Sequence, residues 1–320
     1  MNNNQDIKLI DQLVSKYTAT NNEISRIIVG QNQAIKQILS TIFVGGHALL
    51  IGVPGLAKTL LVNTISQILG LHFNRIQFTP DLMPSDIIGS DVLDKDRQFQ
   101  FIKGPVFCNI LLADEINRTP PKTQSALLEA MQEKTITVGG QKHTLSFPFF
   151  VLATQNPIEQ EGTYPLPEAQ LDRFMYSIFL DYPTVEEEID IVKKTTLSAM
   201  SEVKALFTIE EILKYQNLIL EIPVNNNVIQ YAVELVNNTR PNRVGSSEYI
   251  NKYISFGAGP RASQYLVLGA KINAILAGKY SPDIEDVQQV ASWVLAHRLV
   301  KNYKAESEGV STNEIIQNLL

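Results

Sequence analysis

One loop of the sequence combines small residues, a proline and a lysine in a pattern that could bind phosphate. It lies between an apolar run and an amphipathic run, and it reads Gly52-Val53-Pro54-Gly55-Leu56-Ala57-Lys58-Thr59. Apart from Ala57, which stands where a second glycine is usual, it matches the pattern G-x-x-x-x-G-K-[ST]. Backbone N–H groups of such a loop surround phosphate oxygens at a helix N-terminus. Lys58 would reach the β- and γ-phosphates and Thr59 would offer its hydroxyl to Mg²⁺, whereas the alternative is a Gly/Pro turn before a helix.

Two acids directly follow another apolar run, over residues 109–113. Asp114 and Glu115 would therefore stand at the end of a buried strand. In that place Asp114 suits a Mg²⁺ ligand, and Glu115 suits a group that polarises an attacking water. The alternative is an acidic helix N-terminus, where Asp and Glu are common. Because the phosphate loop precedes these acids in the chain, the combination favours ATP hydrolysis.

An amide and two arginines complete the set of candidate residues. Asn156 follows the apolar run 149–154, and ligands of open α/β sheets bind at the carboxyl ends of strands. It could orient the lytic water or contact the γ-phosphate, although an Asn before Pro157 is also a common turn residue. Arg173 precedes the last predicted strand, and Arg261 opens a helix after Gly-Ala-Gly-Pro. Guanidinium groups stabilise charge on a transferred phosphoryl group, whereas an isolated arginine more often forms a surface salt bridge.

The apolar pattern predicts the elements that must position these residues. Strands are predicted over 47–51, 72–78, 109–113, 149–154 and 176–180, and helices over 59–69 and from 119 onward. Alternating strands and helices predict an α/β domain, a parallel sheet with helices on both faces. We find no convincing strand after residue 183, so the second domain is predicted to be all-helical. The predicted division is a helical extension over 1–21, an αβα nucleotide-binding domain over 22–182 and a helical lid domain over 183–320.

Two segments interrupt the predicted α/β domain. Residues 135–138 and a second short run that ends at Leu145 flank Gly139-Gly140, which predicts a β-hairpin. The connection over 81–103 is too long for an ordinary loop, and long connections are often functional. The sequence does not identify residues that grip a substrate, and these two segments are where we would look for them.

The overall composition excludes several other classes of protein. The chain has 320 residues, 27 basic and 33 acidic, with a net charge of −6, whereas a protein that coats nucleic acid is usually basic. The single cysteine, Cys108, excludes an internal disulfide and a cysteine-based zinc cluster, and it fits a reducing, cytoplasmic location. The N-terminus lacks the basic and apolar regions of a signal peptide. The uncharged stretch between Lys36 and Lys58 could span a bilayer by length, but its glycines and Pro54 break it, so no membrane insertion is predicted.

Longer strings of the sequence resemble the MoxR family of AAA+ ATPases. They are Asn109-Ile-Leu-Leu-Ala-Asp-Glu-Ile-Asn-Arg118, Pro120-Pro-Lys-Thr-Gln-Ser-Ala-Leu-Leu-Glu-Ala-Met131, Ala153-Thr-Gln-Asn-Pro157 and Gly162-Thr-Tyr-Pro-Leu-Pro-Glu-Ala-Gln-Leu-Asp-Arg-Phe174. The Gly-x-Pro-Gly-x-Ala-Lys-Thr loop is also this family's form, so Ala57 departs from the general pattern but not from the family. The likeness extends over nearly the whole chain, from Ile28 to Leu299.

The resemblance implies a role for each candidate residue. The matches are Walker A at Lys58 and Thr59, Walker B at Asp114 and Glu115, sensor 1 at Asn156, an arginine finger at Arg173 and sensor 2 at Arg261. Val29 and Gly30 look like the segment that packs near the adenine. The remaining nucleotide contacts that we predict are Gly52, Val53, Pro54, Gly55, Leu56, Ala57 and Leu60. The arginine finger is expected to reach the nucleotide of a neighbouring subunit.

The resemblance also implies ATP and Mg²⁺ as cofactors and a hexameric ring as the assembly. MoxR-type proteins resemble chaperone-like remodelling motors, and they often work with a protein that bears a von Willebrand factor A domain to mature or load metals or cofactors into client complexes. A magnesium-chelatase-like or DNA-translocating motor shares this machinery, although the acidic charge disfavours DNA and no nucleic-acid partner is expected. A nucleotide-dependent scaffold with little turnover is a third alternative, which the presence of Glu115, Asn156 and Arg173 disfavours.

Overall fold

The predicted strands and helices of the α/β region are present, with ends that shift by one or two residues. The computed structural model describes residues 3–93, 95–158, 161–197, 203–243 and 246–320. Its strands are β1 (Ala48–Ile51), β2 (Phe73–Gln77), β3 (Gly89–Leu93), β4 (Phe99–Lys103), β5 (Ile110–Asp114), β6 (Thr135–Val138), β7 (Gln141–Thr144), β8 (Phe150–Gln155), β9 (Tyr176–Phe179), β10 (Ile254–Phe256) and β11 (Val300–Lys301).

Helices precede, connect and follow these strands. They are α1 (Asn3–Ile27), α2 (Asn32–Val44), α3 (Lys58–Ile68), α4 (Pro84–Ile88), α5 (Pro121–Glu133), α6 (Glu168–Leu171), α7 (Val185–Leu197), α8 (Ile209–Glu221), α9 (Asn226–Asn238), α10 (Glu248–Tyr253), α11 (Pro260–Leu276), α12 (Ile284–Leu295), α13 (Tyr303–Ser307) and α14 (Thr312–Gln317), with a short 3₁₀ helix over Ile116–Arg118. Among the described residues, none of these helices is both long and apolar enough to cross a bilayer.

Five strands form one parallel sheet in the order β2-β5-β8-β1-β9. The register pairs Gln77 with Asp114 and Ile51 with Gln155, so β2, β5, β1 and β8 all end at the same edge. We call this side the carboxyl edge and the opposite side the amino edge. Since the phosphate loop follows β1, the sheet places that loop beside the acids that end β5.

Helices cover both faces of this sheet, as the apolar pattern predicts. β5 is buried along its whole length, because a parallel strand of this kind packs against side chains on both sides. On one face, Leu50 lies in a core that includes Leu61 of α3 and continues to Leu266 and Val290 of the C-terminal helices. On the other face, Leu111 packs in a second core with residues of α5. The C-terminal region therefore shares a core with one face of the sheet.

The C-terminal region differs in one respect from the all-helical prediction. The short strands β10 and β11 pair antiparallel, Ile254 with Lys301 and Phe256 with Val300. Strands of two or three residues carry too little alternation to stand out from loops in a sequence. At the other end of the chain, α1 runs without a break from Asn3 to Ile27, so the predicted boundary between residues 21 and 22 falls inside one helix.

Two small hairpins project from the α/β region, in the two segments that interrupt the predicted α/β domain. The connection over 81–103 contains α4 and the antiparallel pair β3–β4, and residues 135–144 form the pair β6–β7. The hairpins contact each other, because the Phe101 ring stacks on the His143 ring with 3.9 Å between centroids. Phe99, near the turn of the first hairpin, is 77% exposed.

Candidate functional site

The phosphate loop has the backbone that its small residues suggest. Gly55 has φ +87° with open space where a side chain would begin, and Ala57 has φ +53° immediately before α3. Gly52 is required by close packing, since a Cβ there would lie 2.9 Å from the Leu180 carbonyl oxygen. The Gly52 N–H donates to the Gln155 carbonyl at 3.2 Å, which ties the loop to the end of β8. Strand ends on both sides thus fix the loop at the carboxyl edge.

Lys58 curls back over this loop. Its Nζ donates to the carbonyl of Gly52 and, at 3.2 Å, to the carbonyl of Val53. Burial lowers the pKa of Lys58, while the nearby carboxylates of Asp114 and Glu115 oppose that shift. The structure therefore brings Lys58 into electrostatic range of both acids. Those acids lie at the end of a strand that is two places away from β1 in the sheet.

Asp114 is the last residue of β5 and is 9% exposed. Its Oδ1 accepts the Thr154 hydroxyl at 2.6 Å, and its Oδ2 accepts Arg75 Nε at 3.1 Å and Nη2 at 2.6 Å. These contacts hold both carboxylate oxygens of Asp114 in fixed positions at the carboxyl edge.

Glu115 turns out of the strand in a left-handed conformation, with φ +57°. Its N–H donates to the Thr154 hydroxyl oxygen at 2.8 Å, so that one buried hydroxyl holds both acids. Its Oε2 accepts Gln77 Nε2 at 2.8 Å and lies 2.9 Å from Arg118 Nε. The carboxylate is therefore restrained from two sides while it remains partly exposed.

Asn156 is 6% exposed and comes directly after β8, at the same edge. Its Oδ1 accepts the Ile158 N–H at 3.1 Å, which is the local turn contact that a short amide makes. Thr59 is the second residue of α3 and stands next to Lys58. The structure therefore brings the loop, both acids and Asn156 to one edge of the sheet.

An apolar pocket of 160 Å³ adjoins the phosphate loop. Its lining includes Val29, Leu56, Ala57 and Leu60, all of which we predict to contact nucleotide, and it is closed by residues of α7. Gly30 lies just before α2 with φ +69° and packs against Glu187 of α7. Small apolar pockets with few polar groups suit the flat ring of a bound ligand.

The two arginines lie elsewhere. Arg173 and Arg261 line one pocket of 200 Å³, whose other residues include Gly45, His47 and Lys134. Arg173 Nη1 donates to a carbonyl of α5, and Arg261 Nη1 forms a 3.5 Å ion pair with a carboxylate of the segment that precedes β9. Burial lowers the pKa of His47 to about 4, so the imidazole is neutral at pH 7 and the pocket's charge comes from its cations.

This arginine pocket lies at the amino edge of the sheet. Gly45 and His47 precede β1, whereas the phosphate loop follows it, and Arg173 precedes β9. The 4 residues of β1 separate the two edges, by roughly 13 Å at about 3.3 Å per strand residue. That span exceeds the reach of an arginine side chain. The structure therefore does not bring Arg173 or Arg261 to the phosphate loop of the same chain.

The carboxyl edge fits a Mg²⁺-nucleotide by the chemistry of its donors. Open space beside Gly55 and the left-handed backbone at Ala57 leave a concave loop with a helix N-terminus behind it, which is the form of an anion-binding cradle. Mg²⁺ prefers one or two protein oxygens together with phosphate oxygens. Asp114 and the Thr59 hydroxyl are oxygen donors of that kind. The apolar pocket beside the loop can take the base.

Four residues that contact the acids at this edge are absent from the predicted site. They are Arg75 and Gln77, which contact Asp114 and Glu115 from β2, Thr154, which binds both acids from β8, and Arg118, which pairs with Glu115. Arg75 and Gln77 are two apart on one strand, so they share one face. That spacing is a signal that the two side chains lie together, but the register with β5, which brings them to the acids, is visible only in the structure.

The fold and the carboxyl edge together define an ATPase of the AAA class with a helical lid. In agreement, residues 47–176 match the ATPase family associated with various cellular activities (AAA), and residues 247–319 match the AAA lid domain. We use the word lid below as a name for all the helices after residue 183, of which residues 247–319 match the lid model.

Individual similar proteins identify the family within this class of ATPases. "Chaperone MoxR1" of Mycobacterium tuberculosis is 43% identical over 300 residues, covering 93% of this chain and 79% of that protein. Protein YeaC of Bacillus subtilis is 39% identical, covering 93% and 91%. A crystal structure of a Cytophaga hutchinsonii protein classed as an ATPase superposes with a TM-score of 0.91 at 44% identity, covering 98% and 95%. The chain belongs to the MoxR family of AAA+ ATPases.

Proposed function

We propose that this protein hydrolyses ATP in a ring of identical subunits and uses the energy to remodel protein clients. The observation that carries the proposal is the separation of the site into two halves at opposite edges of one sheet. One edge has the phosphate loop and two acids, and the other has two arginines that lie away from it. A phosphoryl-transfer site needs both kinds of group close to the same phosphate.

At the carboxyl edge, each residue has a role that its contacts support. Lys58 and the loop N–H groups bind the β- and γ-phosphates, and Thr59 and Asp114 hold Mg²⁺, which neutralises phosphate charge when bound. Glu115 accepts a proton from the attacking water, because its carboxylate stays partly exposed beside the fixed Asp114. Asn156 orients that water or the γ-phosphate once its turn contact with Ile158 yields.

At the amino edge, Arg173 and Arg261 act on the nucleotide of the neighbouring subunit. Arg173 serves as the arginine finger and Arg261 as a second cation that acts in trans, since neither side chain can reach the loop of its own chain. An arginine supplied in trans is worth about 10³–10⁵ in rate. A hexameric ring is the assembly that the family resemblance favours, and it would repeat this shared site at each interface.

The clients are proteins, and a partner with a von Willebrand factor A domain is expected to present them for maturation or for loading with metals or cofactors. This part of the proposal is supported by the family and by the relative named as a chaperone. We expect a client to be gripped at the β3–β4 hairpin, where Phe99 is exposed. A net charge of −6 argues against DNA as the client.

The test is the solution mass of Glu115→Gln by light scattering, with and without Mg-ATP. The variant keeps the carboxyl edge able to bind nucleotide while hydrolysis slows, so ATP stays bound and a shift from monomer to closed ring is expected. The double variant Glu115→Gln, Arg173→Ala is the matched control, because it removes the trans contact from a chain that still binds ATP. It should bind ATP equally but assemble less.

Three results would contradict the proposal in different ways. A monomer at all concentrations with ATP bound would contradict the shared site. A wild-type ring that binds ATP tightly without turnover, even with client present, would indicate a scaffold. Turnover stimulated by DNA and not by protein clients would indicate a DNA-translocating relative instead.

A further inference from the structure

One buried arginine of the lid holds the segment that carries Arg173. Arg298 follows α12, and its side chain is 2% exposed. Its guanidinium donates to the carbonyls of Asp172 at 2.9 Å, Phe174 at 2.6 Å and Met175 at 3.3 Å. These carbonyls lie on both sides of Arg173. A residue more than 120 positions away in the chain therefore fixes the backbone around it.

The same arginine also connects to Arg261. Asp172 Oδ1 accepts Arg298 Nε at 2.8 Å, while Asp172 Oδ2 lies 3.5 Å from Arg261 Nη1. One carboxylate thus joins the buried Arg298 to the second arginine of the amino edge. Arg261 is exposed enough to move, with a side-chain exposure of 37%, whereas Arg298 is enclosed.

Two neighbouring side chains strengthen this attachment. The Tyr265 hydroxyl of α11 donates to the Arg173 carbonyl at 3.3 Å, and the Tyr265 ring lies 5.2 Å from the Arg298 guanidinium carbon. His297 Nε2 lies 3.0 Å from the Phe174 carbonyl. We call Tyr265, His297 and Arg298 the lid latch. All three belong to the lid, and all three contact the backbone of residues 173–175 or the arginine that holds it.

We propose that Arg298 is a positioning residue: it sets the place of Arg173 and, through Asp172, of Arg261, so that the lid of one subunit controls hydrolysis in its neighbour. This inference rests on the proposed function, in which both arginines act in trans. Arg298 itself touches no nucleotide. Its effect would be felt at the site of the next subunit, while the nucleotide site of its own chain would stay intact.

The chemistry of guanidinium explains why an arginine stands here. Its planar fork offers five N–H donors in fixed directions, whereas a lysine ammonium offers three on a flexible stem. Only this fork can donate to several backbone carbonyls and a carboxylate at the same time. Loss of these bonds would leave buried acceptors without partners and free the segment to shift.

The test compares Arg298→Met with Lys271→Met. Lys271 is also a buried cation of the lid, 8% exposed, but its Nζ donates to the Leu220 carbonyl within the lid at 2.7 Å. Arg298→Met is expected to lower kcat about 10- to 100-fold with little change in KM for ATP, because small misplacement of a catalytic group costs up to about 100-fold. Lys271→Met should lower the melting temperature without this kinetic effect.

Mixed assemblies separate positioning from general damage. Arg298→Met subunits keep an intact phosphate loop and Glu115, while Glu115→Gln subunits keep the intact latch and arginines. At an interface where an Arg298→Met subunit provides the phosphate loop and Glu115, and a Glu115→Gln subunit provides the arginines, hydrolysis should resume. The mixture is therefore expected to turn over ATP faster than either variant alone. A merely structural loss in Arg298→Met would damage its own nucleotide site and give no such recovery.

A parallel mixture of Arg173→Ala with Glu115→Gln tests the proposed function itself. If that mixture recovers activity and the Arg298→Met mixture does not, the inference about Arg298 is wrong and the trans mechanism stands. If neither mixture recovers, the trans mechanism fails and Arg298 loses its proposed role with it. Should Arg298→Met fail to fold, Arg298→Lys serves instead, since it keeps the charge near Asp172 but lacks the fork. It should recover activity in the mixture and show a smaller loss alone.

Discussion

The two edges of the sheet are built in different ways. At the carboxyl edge, the loop and the acids are held by groups on adjacent strands, such as Thr154 on β8 and Gln77 on β2. At the amino edge, the Arg173 segment is held from the lid by a residue far away in the chain, Arg298. The first edge is therefore fixed by the sheet itself, and the second depends on where the lid sits.

This difference suggests how the two halves can respond differently to nucleotide. Parallel strands change little, because their packed cores and ladders are rigid. The lid closes the apolar pocket beside the phosphate loop through α7, and it also holds the arginines through Arg298. A lid movement caused by nucleotide in one site would thus reach the arginines that we propose act in the next site. The predictions below test this contrast, beginning with the largest effect.

Lys58→Ala and Arg173→Ala should separate the two edges. Lys58→Ala is expected to weaken Mg-ATP binding by about 2–5 kcal/mol, the usual cost of removing one partner of a buried charge pair. Arg173→Ala should leave binding to the isolated subunit unchanged and lower kcat about 10³- to 10⁵-fold. Calorimetric titration of Mg-ATP and steady-state hydrolysis measure the two effects.

Lys214→Ala serves as a matched control, because Lys214 is an exposed cation of α8 that belongs to neither edge. If Arg173→Ala weakens ATP binding to monomers as much as Lys58→Ala does, both residues serve one site in the same chain. The contrast between the edges would then be wrong.

Thr154→Val should produce the next largest effect, and only at the carboxyl edge. The Thr154 hydroxyl donates to Asp114 and accepts the Glu115 N–H, so valine leaves two buried groups without a partner. At about 1–3 kcal/mol for such a group, kcat should fall about 10- to 100-fold, with tenfold for each 1.36 kcal/mol. Thr154→Ser keeps the hydroxyl and should retain most activity. Equal losses in both variants would show that the methyl group, not the hydroxyl, is required.

Much of the carboxyl edge could be predicted from the sequence, because its residues stand beside strong local signals. The phosphate loop follows an apolar run and precedes an amphipathic helix, and Asp114 ends a run that is apolar on both faces. Parallel strands then bring their carboxyl ends together without further information. The positions of Lys58, Asp114 and Asn156 follow from the order of elements, although their roles in catalysis remain predictions.

The restraints on these residues could not be predicted in the same way. Gln77 contacts Glu115 only because β2 pairs with β5 in a particular register, which the sequence does not specify. Arg298 reaches the Arg173 segment only because α12 packs beside β9, and no local pattern distinguishes it from a surface arginine. Contacts between distant parts of the chain depend on packing, whereas the sequence pattern reports mainly local structure.

Gly269→Ala is expected to act on the lid side of the amino edge through stability. A Cβ on Gly269 of α11 would lie 2.5 Å from the Tyr176 hydroxyl oxygen and 3.2 Å from Val290 Cγ2, so the lid must shift from β9. Overpacking of this kind costs about 1–3 kcal/mol, which chemical denaturation measures. Gly259→Ala is the control, because, among the described residues other than its chain neighbours, no atom lies within 4 Å of its Cβ position. If the amino edge depends on the lid, Gly269→Ala should also lower kcat more than it weakens ATP binding. Equal effects of the two alanine variants would contradict close packing at this point.

The smallest effect is expected at Ala57, where the loop departs from the general phosphate-loop pattern. Ala57 has φ +53°, a left-handed conformation that costs an alanine about 1–2 kcal/mol and glycine almost nothing. Ala57→Gly removes this strain but gives the unfolded chain more freedom, worth about 0.4–1 kcal/mol in the opposite direction. The net change in the free energy of unfolding should therefore be a stabilisation of no more than about 1.5 kcal/mol.

Denaturant unfolding without nucleotide measures this change, and ATP binding should persist because the loop keeps its shape. A clear destabilisation would mean that the Ala57 methyl group makes a needed contact in the apolar pocket it lines, so that the carboxyl edge depends on that side chain as well as on its backbone.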